Sequence, residues 1–187
     1  MSPVPRRPAG APRSRARISP QELVARAARI RLVLLDVDGV LTDGRLYYGP
    51  EGEVLKVFDV RDGHGIVLLR DRVDFGVISG RPANASEVRL RELRVKHLVF
   101  AERDKLAGYA RLAHLGVPDA EVAYMGDDVN DLPLLARVGL SACPADARPE
   151  VLEAVHFVCS APGGRGAVRE LCDLVLHAKG SRAPQDP

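Results

Sequence analysis

The sequence holds only three cysteines, Cys143, Cys159 and Cys172, an odd number with no CxxC spacing. That leaves no basis for a disulfide framework or a thiolate zinc site, and the three read as small core residues in a reducing compartment. No apolar run is long enough to span a bilayer, and the first residues lack the apolar stretch of a secretory signal. The expectation is a soluble, cytoplasmic protein with no membrane partner. Net positive charge is confined to the start of the chain. The net charge is +2, but Arg6, Arg7, Arg13, Arg15 and Arg17 bring +5 before the first acid, Glu22, so the remainder stands at −3. A mildly acidic body argues against a nucleic-acid partner. Internal repeats and low-complexity segments are also missing from the body.

What is present fits one ordinary domain: 187 residues, 46% of them hydrophobic, enough for a sizeable core. Pro3, Pro5, Pro8 and Pro12 break any amphipathic targeting helix, so residues 1–18 read as a disordered Arg/Pro arm, residues 19–180 as the folded domain and 181–187 as a flexible tail. Ser19-Pro20-Gln21-Glu22 predicts a capped helix running to about Arg29. The apolar run Leu32–Leu35 then reads as a strand buried on both faces. Residues 44–58 alternate around Gly49-Pro50-Glu51-Gly52 and predict a hairpin inserted after that strand. Helices and strands alternate from there to about Ala178. The strands are expected near 73–78, 95–100, 121–125, 140–143 and 156–159. The helices are expected from 62 and near 83–93, 105–115, 132–138, 149–154 and 166–178. That rhythm predicts a three-layer α/β/α, Rossmann-like parallel sheet.

In such sheets ligands sit beyond the carboxyl ends of the strands. The first strand delivers Asp36 and Asp38, the next Ser79, the third is followed by Lys105, and the fourth ends in Gly126-Asp127-Asp128 with Asp131 close behind. Singly, Ser79 reads as a turn residue, Lys105 as a helix start and Asp131 as an N-cap. Together they converge on one crevice, and like carboxylates buried side by side call for a cation. The chemistry that suits the set is phosphoryl transfer to a carboxylate. A hard ion such as Mg²⁺ would be held by Asp36, the Asp38 backbone carbonyl and Asp127. Asp36 would be the nucleophile and Asp38 the acid and then the base. Ser79, the Gly80 amide and Lys105 would stabilise the transferring group, and Asp128 and Asp131 would steady Lys105 or a metal-bound water.

DVDGVLTDG, ISGR, the Asp104-Lys105 pair and GDDVND match in order and spacing the four motifs of the haloacid dehalogenase phosphatase superfamily. VLTDG, the short hairpin and Phe58–Ile66 resemble its branch without a cap domain. Gly163–Leu174, GGRGAVRELCDL, is similar to the C-terminal segment of 3-deoxy-D-manno-octulosonate 8-phosphate phosphatases. The resemblance implies a Mg²⁺-dependent sugar-acid phosphatase, a homotetramer serving lipopolysaccharide precursor synthesis. Asp59, where the family commonly has Asn, and Ala101-Glu102, where it has Gln-Gly, keep a nine-carbon sialic-type acid 9-phosphate open as the alternative substrate.

The resemblance also nominates substrate contacts: Asp59, Val60, Arg61, Asp62 and Gly63 in one loop, then Arg81, Arg89 and Arg165, beside Asp38, Gly80 and Lys105. Asp62 can equally be a helix N-cap, Arg81 and Arg165 solvated loop residues, and His64 structural. Two rival functions use similar residues. A phosphoaspartyl receiver also gathers acids, a hydroxyl and a lysine around Mg²⁺, but its acceptor lies on a middle strand. A non-catalytic assembly module would have no need of Asp36, Asp38, Ser79, Lys105 and Asp127 together.

Overall fold

The computed structural model describes residues 18–82 and 84–180. The expectations for the arm at 1–18, Ile18 apart, and for the tail at 181–187 lie outside the described residues. Helix α1 (Pro20–Arg29) starts as its sequence dictates, with Ser19 Oγ accepting from the Glu22 amide at 3.1 Å. Strand β1 (Leu32–Leu35) is buried along its whole length. The hairpin β2 (Tyr47–Gly49) and β3 (Gly52–Leu55) forms a separate two-stranded antiparallel ribbon. After it come α2 (Val60–Leu69), β4 (Asp74–Ile78), α3 (Asn84–Glu92), β5 (His97–Val99), α4 (Lys105–Ala110), β6 (Val122–Met125), α5 (Leu132–Leu135), β7 (Leu140–Cys143), α6 (Pro149–Leu152), β8 (Phe157–Val158) and α7 (Ala167–Ala178).

The six-stranded sheet has the order β5-β4-β1-β6-β7-β8, with every pairing parallel. This is the expected three-layer α/β/α architecture. The chain grows to one side of β1 through β4 and β5, then crosses to the other side with β6, so the order reverses at β1, where the carboxyl ends of such sheets leave a crevice. Alternation along β1 feeds both layers. Val33 and Leu35 join a core with α1, α2, α3 and α7, while Leu32 and Leu34 face α4, α5 and α6. All three cysteines are free and buried. Among the described residues, no helix is long and apolar enough to cross a membrane.

Several elements are shorter than expected. The helix predicted over 105–115 is α4 followed by a separate 3₁₀ turn, Ala113–Leu115, closed by Gly116 at φ 62°. The helix predicted over 132–138 starts at Leu132 as expected but is only α5, because the chain tightens after Leu135 into a turn in which the Arg137 amide bonds to the Leu134 carbonyl at 3.0 Å. The helix placed from Asp62 begins at Val60, and its N-cap is Asp59, whose carboxylate accepts from the Arg61 amide at 2.7 Å. Asp62 is instead fully buried and accepts from the Gly166 and Arg169 amides at 3.1 and 2.8 Å, fastening the start of α2 to the start of α7.

Candidate active site

The ends of β1, β4 and β6 place the expected residues in one crevice. Asp36 leaves β1 with its amide still bonded to the Met125 carbonyl at 3.0 Å, so its carboxylate emerges at the joint between β1 and β6. Asp104 caps α4 by accepting from the Leu106 and Ala107 amides, which fixes Lys105 at the first helical position. From there Lys105, 1% exposed, crosses beneath β4: its Nζ donates to the Ile78 carbonyl at 2.8 Å and lies 2.6 Å from Asp36 Oδ2 and 3.4 Å from Asp131 Oδ1. Asp131, wholly buried, accepts from Tyr124 Oη at 2.6 Å and from the Asp127 and Asp128 amides at 3.0 Å. It thus joins the two ends of the GDDVND segment to the lysine. Asp128 is exposed and its carboxylate accepts from the Val129 amide, so it shapes the turn and stands away from Lys105. Ser79 is buried, with its Oγ accepting from the Arg81 amide at 3.2 Å.

Carboxylate oxygens of Asp36, Asp127 and Asp131 lie within 4.8 Å of one another. Burial pushes Asp36 up to about 6 despite Lys105, and burial together with Asp36, Asp131 and Asp128 pushes Asp127 up to about 8. Carboxylate oxygens gathered this closely are the donor set of a hard divalent cation, whose charge would offset the repulsion between them. The close approach of the two loops requires a glycine. Gly39 has φ +86°, and a Cβ on it would lie 2.1 Å from Asp127 Oδ2.

The hairpin contributes residues that motif reading does not single out. Lys56 Nζ donates to Asp38 Oδ1 and lies 2.8 Å from Glu53 Oε1. Glu53 also takes Arg81 Nη2 at 2.7 Å, and Arg81 donates to Tyr48 Oη at 2.9 Å while its Nε sits 3.7 Å from Asp38 Oδ2. The hydrogen bonds it gives to Tyr48 and Glu53 hold the Arg81 guanidinium firmly protonated; burial works against the Glu53 carboxylate, but Lys56 and Arg81 keep it below its ordinary range. The available signal was a lone cation inside Val54-Leu55-Lys56-Val57-Phe58, an otherwise apolar stretch.

The remaining nominated residues divide. Arg81 is not free at the rim, being engaged by Glu53 and Tyr48. Arg61 makes a two-pronged pair with Asp59 and donates to the Arg165 carbonyl at 2.9 Å. Val60 and His64 are exposed. Arg89 pairs with Glu92 at 2.9 Å, and its Nη2 packs so closely on Gly63 that a Cβ there would be 2.3 Å away. Arg165 is exposed and lies two residues after Gly163, whose Cα side faces the Gly39 carbonyl with no room for a Cβ. The segment similar to the phosphatases' C-terminal motif therefore sits on the Asp36–Gly39 turn itself.

A carboxylate clamped to a buried lysine, a buried hydroxyl and a cluster of acidic groups at the ends of a parallel sheet make the arrangement of a hydrolase site. Comparison with known proteins agrees. The model of the haloacid dehalogenase-like hydrolase family matches residues 74–170. The 3-deoxy-D-manno-octulosonate 8-phosphate phosphatase KdsC of Yersinia pestis is 48% identical over 160 residues, covering 84% of this chain and 86% of the relative. The crystal structure of the phosphatase of that name from Yersinia pestis superposes with a TM-score of 0.82 over 85% of this chain and 87% of the other. That of Moraxella catarrhalis, solved in complex with magnesium ion, phosphate ion and KDO, is 32% identical with a TM-score of 0.83, covering 87% and 94% of the two chains. The chain belongs to the haloacid dehalogenase-like hydrolase family.

Proposed function

We propose that this protein is a Mg²⁺-dependent phosphomonoesterase that hydrolyses 3-deoxy-D-manno-octulosonate 8-phosphate to the free sugar acid and phosphate. The observation that carries the reading is Lys105 clamped to Asp36 at 2.6 Å beside Asp127 and Asp131, in a chain 48% identical to a phosphatase of that name. Asp36, the Asp38 main-chain carbonyl and Asp127, with Asp131 at hand, would hold Mg²⁺, whose charge offsets the repulsion between phosphate and carboxylates. Asp36 attacks phosphorus and carries the aspartyl-phosphate. Asp38 protonates the departing alkoxide, then takes a proton from the water that releases phosphate. Ser79 and the Gly80 amide donate to the phosphoryl oxygens, and Lys105 offsets their growing charge.

The sugar carboxylate falls to exposed Arg165, since Arg81 is engaged by Glu53 and Arg61 by Asp59 and a guanidinium suits a carboxylate. The protein acts in the cytoplasm as a homotetramer. With only a hairpin over the crevice, neighbouring subunits supply the lid, and Leu46, Tyr48, Val54 and Val57 are exposed on that hairpin. The test is a panel of sugar phosphates with and without a carboxylate. We expect steady Mg²⁺-dependent phosphate release that favours the sugar-acid ester. A preference for neutral sugar phosphates would overturn the substrate, and a lasting phosphoprotein without turnover would overturn the enzyme.

A further inference from the structure

We propose that Lys56 is a positioning residue: it holds the Asp38 carboxylate in its working orientation and so makes the seating of the hairpin a condition of turnover. The proposal rests on the reading of Asp38 as acid and base. Asp38 and three other charged groups close a ring. Lys56 touches Asp38 and Glu53, Glu53 touches Arg81, and Arg81 returns to Asp38 at 3.7 Å. Two of the four come from the hairpin segment, one from the end of β1 and one from the loop after β4.

An ammonium is a compact, strongly hydrated charge, and stripping its water is costly unless well-placed acceptors take the water's place. The Lys56 and Glu53 side chains are only 1% and 6% exposed, while their neighbours Val54 and Leu55 are open to solvent. Were anchoring the ribbon the whole task, turning an apolar neighbour inward would serve with no charge to desolvate. Among the described residues, the only hydrogen bond to the Asp38 carboxylate comes from Lys56.

Lys56 moves no proton in this account. In the first half the Asp36–phosphorus bond forms as the ester oxygen leaves, and that oxygen takes the Asp38 proton. In the second half Asp38 takes a proton from water, the water oxygen bonds to phosphorus, and the bond to Asp36 breaks. Both halves require the same carboxylate to face the same side of phosphorus. Displacing a reacting group by an ångström costs up to a hundredfold in rate.

The test compares Lys56→Met and Lys56→Arg in the full-length protein with saturating Mg²⁺. On an alkyl phosphate monoester we expect Lys56→Met to lower kcat by roughly tenfold to a hundredfold with KM within about twofold, and Lys56→Arg to recover most of the loss. On p-nitrophenyl phosphate, whose leaving group needs no proton, the defect falls on the second half alone. It should appear as a burst of nitrophenol and an acid-trapped phosphoenzyme absent from the wild type. A wild-type kcat in Lys56→Met, or a loss confined to KM, overturns the proposal. Should Lys56→Met fail to fold, Glu53→Gln, which loosens Lys56 from Arg81, must show the same loss in kcat alone. Asp38→Asn separates the two readings: if it stays active on the alkyl ester, the role of Asp38 itself fails, whereas a dead Asp38→Asn beside a fully active Lys56→Met rejects only the positioning.

Discussion

Asp36 and Asp38 are two residues apart, yet their surroundings differ in the way the two roles proposed for them require. Asp36 is buried against Lys105 and faces Asp127 and Asp131, while Asp38 is half-exposed and faces the hairpin. Asp36→Asn and Asp38→Asn should both abolish turnover, but only the first should weaken Mg²⁺ binding strongly in isothermal titration, because on the proposed reading Asp38 would offer the ion its main-chain carbonyl. Equal losses of affinity would contradict the assignment. The raised carboxyls also predict proton-linked binding. In the metal-free protein Asp127 stands at about 8 and Asp36 at about 6, so at neutral pH Asp127 is largely protonated and must shed its proton when a cation arrives. Mg²⁺ affinity should therefore rise with pH through that interval and level off above it. An affinity independent of pH between 6 and 9 would count against this.

Among the elements, α2 and α7 depend on each other. Asp62 sits in the first turn of α2, but its carboxylate serves the Gly166 and Arg169 amides at the start of α7. Burial pushes Asp62 upward and those two amides pull it back. Further along the same contact, Gly65 lets the helices approach until a Cβ would lie 3.0 to 3.2 Å from Arg169 and Cys172. Removing the Asp62 carboxylate leaves the α7 amides without an acceptor, and losses of this kind run to about 1–2 kcal/mol. Asp62→Ala should show that loss in urea denaturation, and Asp62→Asn, which keeps one acceptor oxygen, a smaller one. A stability unchanged in both would show that water replaces the carboxylate freely.

For the whole molecule, the hairpin is the part whose apolar surface is left open: Tyr48 is 63% exposed and Val54 64%, although the same ribbon buries Glu53 and Lys56 inward. Large apolar residues gathered on one exposed ribbon mark a surface that another protein surface covers. Substituting Val54→Glu and Val57→Glu together should shrink the assembly in light scattering and lower activity in step. A fully active monomer, in the variant or the wild type, would reject the proposed tetramer. Part of the molecule's organisation is plain in its sequence. The motif residues Asp36, Ser79, Lys105 and Asp127 lie at strand or helix boundaries, because a buried parallel strand writes itself as an apolar run and its end as the first polar residue. The lengths of α4 and α5 were not legible, because a 3₁₀ turn and an α turn carry nearly the same apolar spacing.

The sequence by itself determined the alternation of strands and helices, the central place of Leu32–Leu35, and the set of polar residues delivered to one edge of the sheet. Those follow from local patterns whose periods, two and 3.6 residues, are set by backbone geometry. Only the tertiary structure decided how the charges pair. Lys105 to Asp36, Lys56 to Asp38 and Arg81 to Glu53 join residues 69, 18 and 28 positions apart. Such pairings depend on strand order and on where the hairpin folds back, which no local window contains. The same holds for Asp62, which sequence spacing offers as the cap of its own helix and the packed structure uses to cap another, because Asp59 already serves the first helix and α7 arrives with its amides unmet.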